Sequence, residues 1–209
     1  MEEQFITLSE TTVFGMAAGD PSGPLILGIH GWSQRNGWHT WEPLMTPLAD
    51  AGYYVVSVDM PGWGKSPAID DKLLLGPKAA ETLVGIIESL QKVPAVLMGK
   101  SWGGDVAVST ALRFPVYVSH LILTAPAIRD YEKLTSLTQP VLLAWAGDDP
   151  VISIDNADRF VAAARDVQLV TYARGGHSAA PRNAADFSKR AIDFLFSEQE
   201  SGHERQQKK

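Results

Sequence analysis

One serine stands where a nucleophile would. Residues 99–104 read Gly99-Lys100-Ser101-Trp102-Gly103-Gly104, directly after the apolar run 93–98. A serine placed at the end of a strand and the start of a helix sits on a sharp turn. The turn pushes its hydroxyl clear of the sheet, where it can attack a carbonyl. The flanking glycines are a steric requirement. At Gly99 and Gly103 a side chain would collide across the turn, which also holds the serine in strained φ/ψ. Gly-x-Ser-x-Gly alone is a weak signal, because small residues and serine recur by chance. Its context gives it weight: residues 102–114 supply the helix, and Pro115 stops it.

The elements that must position this serine alternate along the chain. Residues 5–8 and 12–16 read as an opening hairpin. Short Val/Ile/Leu-rich runs follow at 25–29, 54–58, 96–98, 121–123, 141–145 and 168–172, bounded by Gly, Pro and Asp, as expected for strands buried on both faces. Helical patterns fall between them at 41–51, 76–90, 102–114, 154–164 and 181–196. In the last, Ala184, Phe187, Ala191 and Phe194 form one apolar stripe. Ser153 suits a helix cap and Asp155 the first turn after it. The alternation predicts an α/β fold with a mostly parallel, eight-stranded sheet and helices on both faces.

In such a sheet, ligands bind at the carboxyl ends of the strands. Run 25–29 is followed by His30-Gly31-Trp32-Ser33, and run 54–58 by Asp59-Met60-Pro61-Gly62-Trp63-Gly64-Lys65-Ser66. Run 121–123 leads to Thr124-Ala125-Pro126, with no acid. Run 141–145 leads to Gly147-Asp148-Asp149-Pro150, and run 168–172 to Gly175-Gly176-His177-Ser178. A serine, then an acid, then a histidine, each on its own strand end, is what nucleophilic catalysis needs.

These residues make the chain resemble the α/β-hydrolase family, from about residue 5 to residue 197. The resemblance rests on His30-Gly31, Asp59-x-Pro61-Gly62-x-Gly64-x-Ser66, Gly99-x-Ser101-x-Gly103-Gly104, Gly147-Asp148-Asp149-Pro150 and Gly176-His177, in family order. It implies Ser101 as nucleophile, His177 as general base and Asp149 as the acid, since the family's acid usually precedes a Pro or x-Val. Asp148 is the alternative acid, or a turn residue. The resemblance also implies an oxyanion hole from the backbone N–H groups of Trp32 and Trp102, with His30 orienting the first. No metal or organic cofactor is required. A serine nucleophile argues against the dehalogenase and epoxide-hydrolase branches that use aspartate, and zero cysteine excludes the cysteine branch.

Other candidates are weaker. Trp32, Trp63 and Trp102 all follow strand ends, so they either face the substrate pocket or pack under loops; Trp63 and Ser33 are placed at the pocket. Trp38 and Trp41 are expected to seat the first helix, and Trp145 to lie in the core. Asp59 and its loop read as loop geometry. His39 reads as a surface residue, His120 as structural and His203 as part of the tail. Lys100 either packs or tunes the site.

Composition narrows the function classes. At 209 residues, 45% of them hydrophobic, the chain can bury a sizeable core, read as one domain over 1–198 with a polar, disordered tail over 199–209. A net charge of −6 gives no basic face for nucleic acid. The acidic start Met1-Glu2-Glu3-Gln4 is no signal peptide, and no run is long enough to span a membrane. A cytoplasmic location is expected, with no protein partner indicated. Between residues 124 and 139 there is room for one short helix, not the helical cap that many relatives insert there. The expected enzyme is therefore an open, lidless serine hydrolase for a small or short-acyl ester or thioester. The alternatives are acyl transfer with the same triad, or a non-catalytic binding protein of the same fold.

Overall fold

Chain segments too apolar to leave either face in water form the middle of a sheet. The computed structural model describes residues 1–69, 74 and 76–206, with side chains as far as residue 197. Every residue of β3 (Leu25–Ile29), β4 (Tyr54–Val58) and β7 (Val141–Ala146) is buried. With β1 (Glu2–Thr7), β2 (Thr12–Ala18), β5 (Ala95–Lys100), β6 (Val118–Thr124) and β8 (Val167–Tyr172) they make an eight-stranded sheet, in the order β1-β2-β4-β3-β5-β6-β7-β8. The β1/β2 and β2/β4 pairs are antiparallel and all the others parallel, as the alternation of runs and helices predicts. Strand β8 departs from expectation. It lies at the sheet edge, and none of its residues is fully buried, because it has a neighbour on one side only.

Helices cover both faces. On one, α1 (Glu42–Asp50) and α6 (Ala184–Gln206) pack Leu44, Met45, Leu48, Phe187, Ala191 and Phe194 against Ile26, Val55 and Met98. Trp41 seats α1: it is fully buried, and its indole N–H donates to the Ile29 carbonyl at 3.0 Å. On the other face, α2 (Gly76–Ser89), α3 (Trp102–Arg113) and α4 (Asp155–Ala163) contribute Leu83, Ile86, Val106 and Phe160.

The last helical pattern is broken in two. The short α5 (Ala179–Arg182) stops at Asn183, whose side-chain amide donates to the carbonyls of Ala179 (2.8 Å) and Arg174 (3.0 Å). An asparagine that bonds the backbone in this way competes with helical continuation. Helix α6 then continues to Gln206, into the segment expected to be a tail. The His203 side chain and residues Lys208 and Lys209 lie outside the described residues. Between β6 and β7, residues 125–140 hold a single 3-10 segment, Glu132–Ser136, and no cap domain. Among the described residues, no helix is long and apolar enough to cross a membrane.

Candidate active site

Strand β5 delivers Ser101 into α3 through one tight residue. Ser101 has φ 53° and ψ −118°, outside the regions comfortable for a side-chain-bearing residue. Such a conformation costs on the order of 1–3 kcal/mol and persists only where its surroundings enforce it. Here the Ser101 N–H donates to the Thr124 carbonyl (3.0 Å), and its own carbonyl accepts from Gly104, Asp105 and Ala127 at 2.9–3.2 Å. The turn closes because two residues lack a Cβ. A Cβ on Gly99 would come within 2.5 Å of the Gly103 carbonyl oxygen, and one on Gly103 within 2.3 Å of the His30 carbonyl oxygen.

The two adjacent acids after β7 have separate tasks. Asp149 is fully buried at its side chain, and one carboxylate oxygen accepts from the backbone of Val151 (2.8 Å) and Ile152 (3.1 Å). Its other oxygen meets His177 Nδ1 at 2.9 Å. Asp148 instead accepts from the Gly176 backbone N–H at 2.7 Å, which fixes the loop that carries the histidine. A carboxylate is the acceptor here, so Nδ1 carries the proton and Nε2 presents a lone pair. No hydrogen bond joins Nε2 to Ser101 Oγ among the described residues. Both loops are nevertheless tied to one residue. The N–H of Ala180, just past His177, donates to Thr124 Oγ1 at 3.3 Å, and Thr124 is also the acceptor for Ser101. Thr124 carries no acid, so its residue type does not mark it for the site; its place at a strand end does.

His30 organises the third side of the site. Its Nε2 accepts from the Met60 N–H at 3.0 Å, so Nδ1–H donates to the Gly31 carbonyl at 2.7 Å. Burial pulls its pKa below the ordinary value; the Gly31 bond and the Asp59 charge oppose this, and the charges of His39 and Lys100 add to it. Gly31 lies beside the elbow, and a Cβ there would be 3.6 Å from the Ser101 Cβ. Neither Trp32 N–H nor Trp102 N–H has an acceptor among the described residues. Asp59 is buried and binds the backbone N–H groups of Trp38 (2.7 Å) and Lys65 (2.9 Å), so it sets loop geometry. Lys100 is partly buried beneath the turn. Burial lowers its pKa, Arg182 adds to the shift and Asp149 opposes it.

The tryptophans divide. A pocket of about 410 Å³ opens beside Ser101, walled by Trp32, Trp102, Asp105, Ala127 and Arg129. Trp63 is not part of this wall. It is 1% exposed, stacked on Trp102 at 5.0 Å, and its indole N–H donates to the Trp32 carbonyl at 3.0 Å. Trp32, 41% exposed, stands edge-on to both rings and covers it. The packing reading therefore holds for Trp63, because its one polar atom is used internally. Ser33 also lies off the pocket wall, in an exposed turn where its hydroxyl accepts from the Arg35 N–H at 3.3 Å. His39 is exposed against the Arg35 carbonyl, and His120 packs edge-on to Phe194. Arg129, on the pocket wall, was not among the residues singled out from sequence. Among the described residues, no group of three or more His, Asp or Glu side chains could hold a metal ion.

Comparison with known proteins fits this geometry. Residues 24–135 match the family model described as the alpha/beta hydrolase fold. The chain is 33% identical to the AB hydrolase superfamily protein YfhM of Bacillus subtilis, over 57% of this chain and 41% of that protein. It is 23% identical to a 2-hydroxy-6-oxononadienedioate/2-hydroxy-6-oxononatrienedioate hydrolase of Cupriavidus pinatubonensis, over 92% of this chain and 94% of that one. Among solved structures, it is similar to a predicted CIB-like hydrolase from Thermoplasma acidophilum, with a TM-score of 0.83 and 26% identity over 93% of this chain and 97% of that one. The chain spans less than half the length of the first curated relatives it matches.

Proposed function

The chain belongs to the alpha/beta hydrolase fold family, and on that premise we propose that it is a serine hydrolase of carboxylic esters or thioesters of small or short-acyl type. Its relatives are hydrolases, which supports hydrolytic chemistry at this fold. The observation that carries the finer reading is the pairing of a strained Ser101 at the strand-to-helix turn with a His177 whose Nδ1 is bound to buried Asp149.

The steps follow from the groups present. Ser101 Oγ attacks the ester carbonyl carbon as its proton passes to His177 Nε2. Asp149 holds the ring in the tautomer that leaves Nε2 basic and stabilises the imidazolium that forms. The tetrahedral oxyanion is received by the N–H groups of Trp32 and Trp102, whose availability supports this role. Each such donor is worth about 3–4 kcal/mol of barrier where it has been removed in other enzymes. The imidazolium then gives its proton to the departing alcohol or thiol. Water, deprotonated by His177, cleaves the acyl-enzyme and restores Ser101. A Ser101–His177 hydrogen bond, absent among the described residues, is expected to form with substrate, as catalytic contacts often tighten only then.

The test is labelling with a fluorophosphonate probe and peptide mass spectrometry. The adduct is expected on the peptide containing Ser101, and Ser101→Ala is expected to abolish both labelling and turnover while the chain still folds. An adduct elsewhere, or an active alanine variant, overturns the assignment.

A further inference from the structure

Among the described residues, the pocket beside Ser101 has two charged side chains on its wall, Asp105 and Arg129, together with the two indoles of Trp32 and Trp102. Asp105 is already matched, since Lys133 Nζ reaches its carboxylate at 3.0 Å. Arg129 is exposed, and among the described residues its guanidinium has no ion pair and no hydrogen-bond partner. In a chain with a net charge of −6, this cation, unmatched among the described residues, is not part of a generally basic surface. It is also held near the reacting atoms by the backbone. The Ala127 N–H donates to the Ser101 carbonyl at 2.9 Å, and the Ile128 N–H to the Pro126 carbonyl at 2.9 Å, so Arg129 begins two residues from a direct bond to the elbow.

We propose that Arg129 determines specificity by binding the carboxylate of an anionic ester, so that preferred substrates of Ser101 carry a negative charge close to the scissile bond. This rests on the reading of Ser101 as nucleophile. A guanidinium presents a planar fork of donors that fits a carboxylate with two parallel hydrogen bonds, which gives direction as well as charge. The apolar indoles on the same wall accept the carbon skeleton between the charge and the carbonyl.

The carboxylate could sit in the acyl half or the alcohol half of the ester, and paired substrates separate the two. Mono-4-nitrophenyl succinate is compared with 4-nitrophenyl butyrate, and 4-acetoxybenzoate with its methyl ester. At least one anionic ester is expected to exceed its neutral partner in kcat/KM by tenfold or more. Arg129→Gln is expected to cut that ratio about tenfold, while Arg165→Gln, an equal charge loss on an exposed residue away from the pocket, keeps it. The preference should also shrink as salt is raised, because the cation is exposed. Equal ratios in the unmodified protein and Arg129→Gln overturn the proposal. If no ester is turned over, the hydrolase reading fails by itself and binding still decides. Benzoate is expected to bind at least tenfold more tightly than benzamide, read by isothermal titration calorimetry, and Arg129→Gln removes the difference. Equal binding of the two by the unmodified protein overturns the role of Arg129.

Discussion

At the scale of single residues, the neighbours Asp148 and Asp149 show how one residue of register assigns a role. Asp149 meets the imidazole of His177, whereas Asp148 meets the backbone of Gly176. Asp149→Asn is therefore expected to lower kcat by roughly 10⁴-fold, as loss of a triad acid does elsewhere. Asp148→Asn removes a loop tether and is expected to cost far less, with both read by steady-state kinetics on one chromogenic ester. The reverse ranking would move the role to Asp148. His30 gives a pH dependence of known sign. Burial depresses its folded-state pKa below the ordinary 6.5, so on acidification the unfolded chain takes up the proton first. Its contribution is fully present above about pH 6.5 and is lost as pH falls through the depressed folded value. Urea midpoints at pH 7.5 and 5.5 should fall more in the unmodified protein than in His30→Gln. Equal losses would show that folding does not depress the His30 pKa.

At the scale of elements, the site depends on β5 and α3 meeting with no spare volume. Any side chain at Gly103 drives into backbone oxygens of Ile29, at the end of β3, and of His30 just after it, which cannot rotate away. Gly103→Ala is therefore expected to destabilise by about 3 kcal/mol or more, in the range reserved for overpacking of rigid surroundings. Chemical denaturation followed by circular dichroism measures this, and an unchanged midpoint would mean that β3 and α3 slide apart freely. Parallel pairing of β8 with β7 brings a histidine 76 positions after the serine to the same end of the sheet, and the hydrogen bond of α5 to Thr124 ties its loop there.

At the scale of the whole molecule, the short 125–140 connection holds no cap domain, and Trp32 and Trp102 stand on the pocket wall. Each extra methylene that fits adds only about 0.8 kcal/mol, whereas one that meets an indole backed by buried Trp63 is excluded. Across 4-nitrophenyl esters from acetate to palmitate, kcat/KM is expected to peak at about two to four carbons, without activation at an oil–water interface. Trp32→Ala keeps the backbone N–H and removes the exposed ring, so it should shift the peak to longer chains. A maximum at eight carbons or more in the unmodified protein contradicts this picture.

The sequence determined the local chemistry. Glycine at 99 and 103 around Ser101, apolar runs too uniform to face water, and Gly/Pro/Asp boundaries fixed the elbow, the sheet type and the strand-end loops, because these depend on sterics and on burial within a few residues. Tertiary structure decided what depends on distant partners. Which acid reaches His177 follows from how the β7 and β8 loops face one another. That Trp63 is a buried support and not a pocket wall follows from Trp32 and Trp102 closing over it. The exposed β8 reflects its edge position, which composition does not encode. Arg129 becomes a pocket residue through the bond of Ala127 to Ser101, since nothing in its local sequence distinguishes an arginine that shares a pocket with Ser101 from one in open solvent.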